Sequence, residues 1–131
     1  MRTLNLEQIR NSFLHSALWT EELDMKNIED FAPSAIALAD KVIARFLKDA
    51  PEKDLNVYIE HFESAGAIGA EDPIGFDIWL SINGHGSGFF DHRLGGSEDV
   101  LHDVCREIGV GEDRIVINQV WVSEIGTVFI E

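Results

Sequence analysis

The side chains best able to do chemistry gather between Gly75 and Arg93, a stretch reading Gly-Phe-Asp-Ile-Trp-Leu-Ser-Ile-Asn-Gly-His-Gly-Ser-Gly-Phe-Phe-Asp-His-Arg. His85 and His92, with Asp77 and Asp91, and with His61 and His102 to either side, form the cluster suited to proton transfer. A histidine paired with a carboxylate, such as His92 with Asp77, can move a proton near neutral pH. A zinc site asks for three or four ligands converging tetrahedrally, often as paired short spacings. His85 to His92 is not such a spacing, and the adjacent Asp91 and His92 would point apart on a strand. No metal and no cofactor is therefore expected. Gly84, Gly86 and Gly88 do not make a phosphate loop, because such a run opens a helix and the P-loop form needs a following Lys. Ser87 lacks the flanking spacing of a nucleophile elbow, which has glycines two residues to either side.

These residues need elements to position them. Phe76, Ile78, Leu80 and Ile82 alternate with Asp77, Trp79 and Ser81, the period of a half-buried strand. Asn83-Gly84 follows directly and is a hairpin signal, since both residues tolerate positive φ. Phe89 and Phe90 fall on the return strand. A four-residue loop, Asn83 to Gly86, places Trp79 opposite Phe90 and Asp77 opposite His92. One face then carries Asp77, Trp79, Ser81, Phe90 and His92; the other carries Phe76, Ile78, Leu80, Ile82 and Phe89 and is core. A three- or five-residue loop would exchange Phe89 and Phe90. Aromatic residues on the polar face of a hairpin require cover, from the N-terminal helices or from a partner. The candidate contact face and tip are thus Asp77, Trp79, Asn83, His85, Phe90, Asp91 and His92.

The rest of the chain supplies the frame. Leu6, Ile9, Phe13 and Ala17, widened by Leu14 and Leu18, mark a first helix from Asn5 to Trp19. After a polar stretch from Thr20 to Asp30, Pro33 opens a second helix with Ile36, Ala39, Ile43, Phe46 and Leu47 on one face, closed by Pro51. Leu55, Ile59 and Phe62 mark a short third helix ending at Gly66, and Ala65 to Gly75 reads as a loop. Ser97 is a plausible N-cap for a helix bearing Val100, Leu101, Val104, Cys105 and Ile108 on its apolar stripe, ended by Gly109. Cys105 is read as core. Ile115 to Val122 and Thr127 to Ile130 form a second strand pair around a turn at Ser123 to Gly126. The expected fold is α+β, with N-terminal helices packed on a small antiparallel sheet made of two hairpins separated by a helix.

Bulk properties set the outer limits. A chain of 131 residues and 14.7 kDa is room for a single domain, 1–131, with a core that needs no metal or disulfide staple. One cysteine precludes an internal disulfide and suits a reducing compartment. The N-terminus lacks the apolar segment of a signal peptide and no stretch approaches a membrane span, so a cytoplasmic location is expected. Ten Lys and Arg against 24 Asp and Glu give a net charge of −14. Between Asp54 and His92 there are seven acids and no Lys or Arg. Direct binding to nucleic acid, whose affinity rests on basic side chains, is disfavoured. A basic partner, including a nucleic-acid-binding protein, would be attracted.

The Gly75–Arg93 stretch resembles a family of small uncharacterised proteins encoded by bacteriophages and prophages, whose hallmark reads Gly-His-Asp-Phe-Trp-Leu-Thr-Arg-Asn-Gly-His-Gly-Ala-Gly-Phe-Trp-Asp-Arg. Matching positions are Gly75, Asp77, Trp79, Leu80, Asn83, Gly84, His85, Gly86, Gly88, Phe89 and Asp91. Weaker echoes (Leu14, Ala17-Leu18-Trp19, Asp30, Ala32-Pro33, Asp40 and Phe46) extend the similarity over Asn11 to Glu131. Phe76 stands in place of a His, Ile82 of an Arg, Phe90 of a Trp and His92 of an Arg. The resemblance implies a phage or prophage origin and supplies no activity. The lost His and Arg weaken a catalytic reading, because a general acid or an anion clamp cannot be made from Phe or Ile. The expectation is a non-enzymatic protein that binds a host or phage macromolecule in the host cytoplasm, in one version as an acidic decoy. The alternative is a small hydrolase using a His/Asp pair of the central hairpin.

Overall fold

A computed structural model describes residues 2–66, 69–84 and 87–131. In chain order they form helices α1 (Leu6–Thr20), α2 (Pro33–Asp49), α3 (Glu52–Ser64), α4 (Glu71–Ile82) and α5 (Ser97–Ile108), then strands β1 (Val120–Val122) and β2 (Val128–Ile130). Single 3-10 turns lie at Ile28–Asp30 and Phe89–Asp91. The class is α+β, with helices dominating and one two-stranded antiparallel sheet in which Trp121 faces Phe129. Among the described residues no helix is long and apolar enough to cross a membrane.

Four helices begin and end close to where periodicity and caps place them. Asn5 caps α1, its side chain accepting from the Gln8 N–H at 3.1 Å. Pro33 occupies the first turn of α2, where its missing N–H costs nothing. Gly96, in the left-handed region at φ +107°, precedes α5, so Ser97 is the first helical residue rather than the cap; its hydroxyl instead donates to Asp54 at 2.8 Å.

The central hairpin is the main correction. Residues 76–82 are not a strand but the body of α4, and Asn83-Gly84 is a helix end, with Gly84 at φ +67°. Phe89 and Phe90 sit in a 3-10 turn instead of a return strand. The physical reason is burial around the second half of the helix. Asp77, Ile78, Trp79, Leu80 and Ser81 are buried in unbroken succession, so beyond the first turns α4 shows no alternation of wet and dry residues at a 3.6-residue period. The sheet therefore consists of one hairpin, β1–β2, docked to α2 and held at Phe31 and Ala32, where the Ala32 N–H donates to the Val128 carbonyl at 2.8 Å.

Helix α4 is the centre of the molecule. It packs most extensively on α1 and also touches α2 and α5. Phe13 of α1 meets Trp79 edge-on at 5.2 Å, while Phe89 stacks on Phe46 of α2 at 5.4 Å and meets Tyr58 of α3 at 5.2 Å. Cys105 is buried, and that burial pushes its thiol far above the ordinary range, leaving it a core residue.

The start of α4 is clasped from outside. Arg2 Nη2 lies 2.6 Å from Glu63 of α3 and 2.6 Å from Glu71 of α4, and the Asn5 N–H donates to Glu71 at 3.0 Å. The Arg2 hydrogen bonds, helped by Asn5 and opposed by burial, hold the Glu71 carboxyl at about 2 against an ordinary 4.5. A carboxyl depressed in the folded state stabilises fully above its unfolded value, and that contribution disappears as pH falls through the folded one. Glu71→Gln is expected to lose stability at neutral pH and to show a shallower decline of its urea midpoint between pH 4.5 and 2 than the parent. Parallel midpoint–pH curves for the two proteins would contradict this role.

Candidate functional site

A concavity of about 1010 Å³ forms an open groove between α1 and α4, bounded by Phe62 of α3 and by Asp91 and His92. Helix α1 lines it from Asn5 to Trp19 through Glu7, Gln8, Asn11, Ser12, His15, Ser16 and Trp19, residues recurring at three- and four-residue spacing on one face. Helix α4 contributes Asp72, Pro73, Phe76 and Asp77. The floor is set by glycine. A side chain at Gly75 would run into the Ile9 carbonyl, and its Cβ would lie 2.7 Å from Ser12 Cβ and 2.8 Å from the Phe13 nitrogen. Only a residue without Cβ lets the two backbones approach this closely. Across that contact the Ser12 hydroxyl donates to the Asp72 carbonyl at 2.5 Å.

The groove lining includes a histidine–carboxylate pair. Asp77 is only 3% exposed, and its Oδ2 accepts from the Tyr58 hydroxyl at 2.6 Å and lies 2.7 Å from His92 Nε2. Burial pushes the Asp77 carboxyl up from its ordinary value, while the Tyr58 and His92 contacts pull it down. The Tyr58 hydroxyl is pushed well above its ordinary range by the same burial and by the Asp77 charge. Nδ1 of His92 has no hydrogen-bond partner among the described residues, and the ring lines the groove. The pair is thus a solvent-reachable imidazole oriented by a buried carboxylate, an arrangement able to exchange protons with a bound group.

The lining is also aromatic. Trp19 is 62% exposed and meets the half-buried Phe76 at a tilt, ring centres 5.7 Å apart. The lining carries Glu7, Asp72, Asp77 and Asp91 but no Lys or Arg. Asp72 accepts only a long contact from Gln8, and neither it nor Glu7 forms an ion pair among the described residues. Arg10, the nearest α1 cation in sequence, faces Asp40 of α2 at 3.6 Å instead. Among the described residues no cluster of three or more His, Cys, Asp and Glu side chains is arranged to hold a metal ion.

The candidate face divides accordingly. Asp77 and His92 do meet, as the hairpin pairing required, but through a helix and a turn rather than across two strands. Asp91 joins them at the groove and accepts from the Gly88 N–H at 3.1 Å. Trp79 is not a contact residue: it is 1% exposed, covered by α1, with its indole N–H donating to Thr20 at 2.8 Å. Asn83 is a helix-end residue whose side chain donates to the Trp79 carbonyl at 2.8 Å. Phe90 lies outside the groove, stacked at 3.6 Å on His102. His85 lies outside the described residues. Tyr58, Trp19, Phe76, Asp72 and the polar stripe of α1 were missed. The stripe was visible as Glu7, Asn11 and His15 at four-residue spacing, opposite the apolar residues that identified the helix.

The chain matches no protein-family model, no curated protein and no solved structure.

Proposed function

We propose that this is a binding protein of the phage or prophage type, acting in the host cytoplasm by holding a basic segment of another protein in the α1–α4 groove. The observation that carries this reading is the groove's lining: four carboxylates and an exposed Trp–Phe pair, with no Lys or Arg. Such a surface favours a cation twice, by Coulomb attraction and by the electron-rich face of Trp19. The net charge of −14 steers the same class of partner toward it and repels nucleic acid. The acidic-decoy version, competition with nucleic acid for a basic protein, is the biological form of this chemistry.

The test is fluorescence anisotropy of a labelled Arg/Lys-rich peptide, an acidic peptide and a DNA duplex, at low and high salt. The basic peptide alone is expected to bind. Trp19→Ala or the pair Glu7→Gln with Asp72→Asn should weaken it about tenfold, the scale of a cation–π contact or of two carboxylates. Removing as much charge from exposed positions outside the groove lining, by Glu112→Gln with Glu124→Gln, should change much less. Equal effects of the two double variants would reduce the interaction to bulk charge and overturn the site.

The 2.7 Å contact of His92 with Asp77 favours one second reading, a small hydrolase in which His92 removes a proton from attacking water. The lining residues include no Lys or Arg to neutralise an oxyanion, which weighs against it. Hydrolysis of ester or amide probes abolished by His92→Ala, with the fold intact, would establish that reading.

A further inference from the structure

Resting on the groove as the binding site, the geometry points to the form of its occupant: we infer that it is an amphipathic basic α-helix of a partner protein, lying alongside α1. Three observations support a helix over a single cationic side chain or an irregular loop. The first is length. The lining of α1 runs from Asn5 to Trp19, which at 1.5 Å per residue is roughly 21 Å, or about fourteen residues of a docked helix. The second is volume. At about 1010 Å³ the groove lies at the top of the ~300–1,000 Å³ range of small-ligand pockets, so a single cationic side chain would leave most of it unfilled. The third is the arrangement of the lining. Apolar surface (Trp19, Phe76, Phe62) and carboxylates (Glu7, Asp72, Asp91) both face the same channel, so an occupant must present an apolar stripe bordered by cations. A helix with apolar residues at i, i+3, i+4 and i+7 and Lys or Arg beside them does this, and docking in such a groove is an established recognition mode.

A second copy of the chain is disfavoured by its own charge, since two molecules at −14 repel. Helix-in-groove binding also gives the exposed Trp19 an apolar partner, which a purely ionic contact would not.

The experiment uses the full chain and three labelled peptides of about fourteen residues with identical Lys, Arg, Leu and Ala content. In the first, Leu recurs at helical spacing; in the second the order is scrambled so that Leu spreads round the helix; the third is the first with a central proline. The amphipathic peptide is expected to bind at least tenfold tighter than the other two and to gain helical circular dichroism on binding. Trp19→Ala should remove most of that preference. If all three peptides bind equally, and lose affinity equally with Glu7→Gln and Asp72→Asn, the helix inference is overturned while the basic-segment groove stands. If none of them binds, the groove reading itself falls. Concentration-dependent self-association that the amphipathic peptide cannot displace would assign the groove to a second copy and likewise overturn the inference.

Discussion

Trp79→Ala is expected to destabilise the protein by about 3–5 kcal/mol, the range for removing a large buried aromatic side chain. Trp79 is among the largest fully buried residues, edge-on to Phe13 and hydrogen-bonded through its indole N–H to Thr20. Truncation removes the aromatic contact, opens a cavity between α1 and α4, and frees the Thr20 hydroxyl to its remaining bond with the Ser16 carbonyl at 2.9 Å. Total stabilities of small domains are about 5–15 kcal/mol, so the variant keeps only part of its margin. Urea unfolding followed by circular dichroism measures the loss. Trp79→Phe, which retains most of the volume but loses the hydrogen bond and part of the ring, should fall well short of it. A cost for Trp79→Ala below about 1 kcal/mol would mean that the helices close over the gap and that this packing is not what joins them.

Gly75→Ala is expected to destabilise as well, by about 3 kcal/mol, at the upper end of the cost of overpacking. The sign makes this prediction discriminating. Within an exposed helix, exchanging Gly for Ala stabilises by about 1 kcal/mol, because glycine carries the larger backbone entropy cost. At Gly75 the added methyl meets the Ile9 carbonyl and the Phe13 nitrogen, backbone atoms that cannot rotate away. The helices must separate, which loosens Phe13 against Trp79 and widens the groove floor together. Measured stability equal to or above that of the parent would show that the close crossing of α1 and α4 is not a constraint.

Helices α1, α2, α3 and α5 were legible because each keeps a wet side, and the resulting apolar stripe announces both the helix and its buried face. Helix α4 was not, because alternation of Phe76, Ile78, Leu80 and Ile82 with Asp77, Trp79 and Ser81 means little once residues 77–81 are all buried. Local signals did exist. Glu71, Asp72 and Pro73 form an acidic, proline-bearing first turn, and Gly84 suits the residue after a helix end. The Asn83-Gly84 hairpin signature competed with them and matches the same positive φ for a different purpose. The His92–Asp77 pair was legible despite the wrong element, since both geometries bring the two side chains to one place. The groove was not legible, because it is built from the polar side of α1, and a helix read for its core residues says nothing about what crosses its other face.

The dependence of α1 on α4 also has a consequence in time. Gly75 closes on Ile9 and Phe13, partners roughly sixty residues earlier in the chain. At about 5–20 residues per second, the ribosome completes α1 several seconds before the surface that covers it exists. Over that interval Phe13, Leu14 and Leu18, all destined for the interior, have no α4 to bury them. Of the four carboxylates that line the groove only Glu7 has then been made, so the acidic lining, like the cover over these apolar residues, is completed only once α4 and the turn at Asp91 emerge.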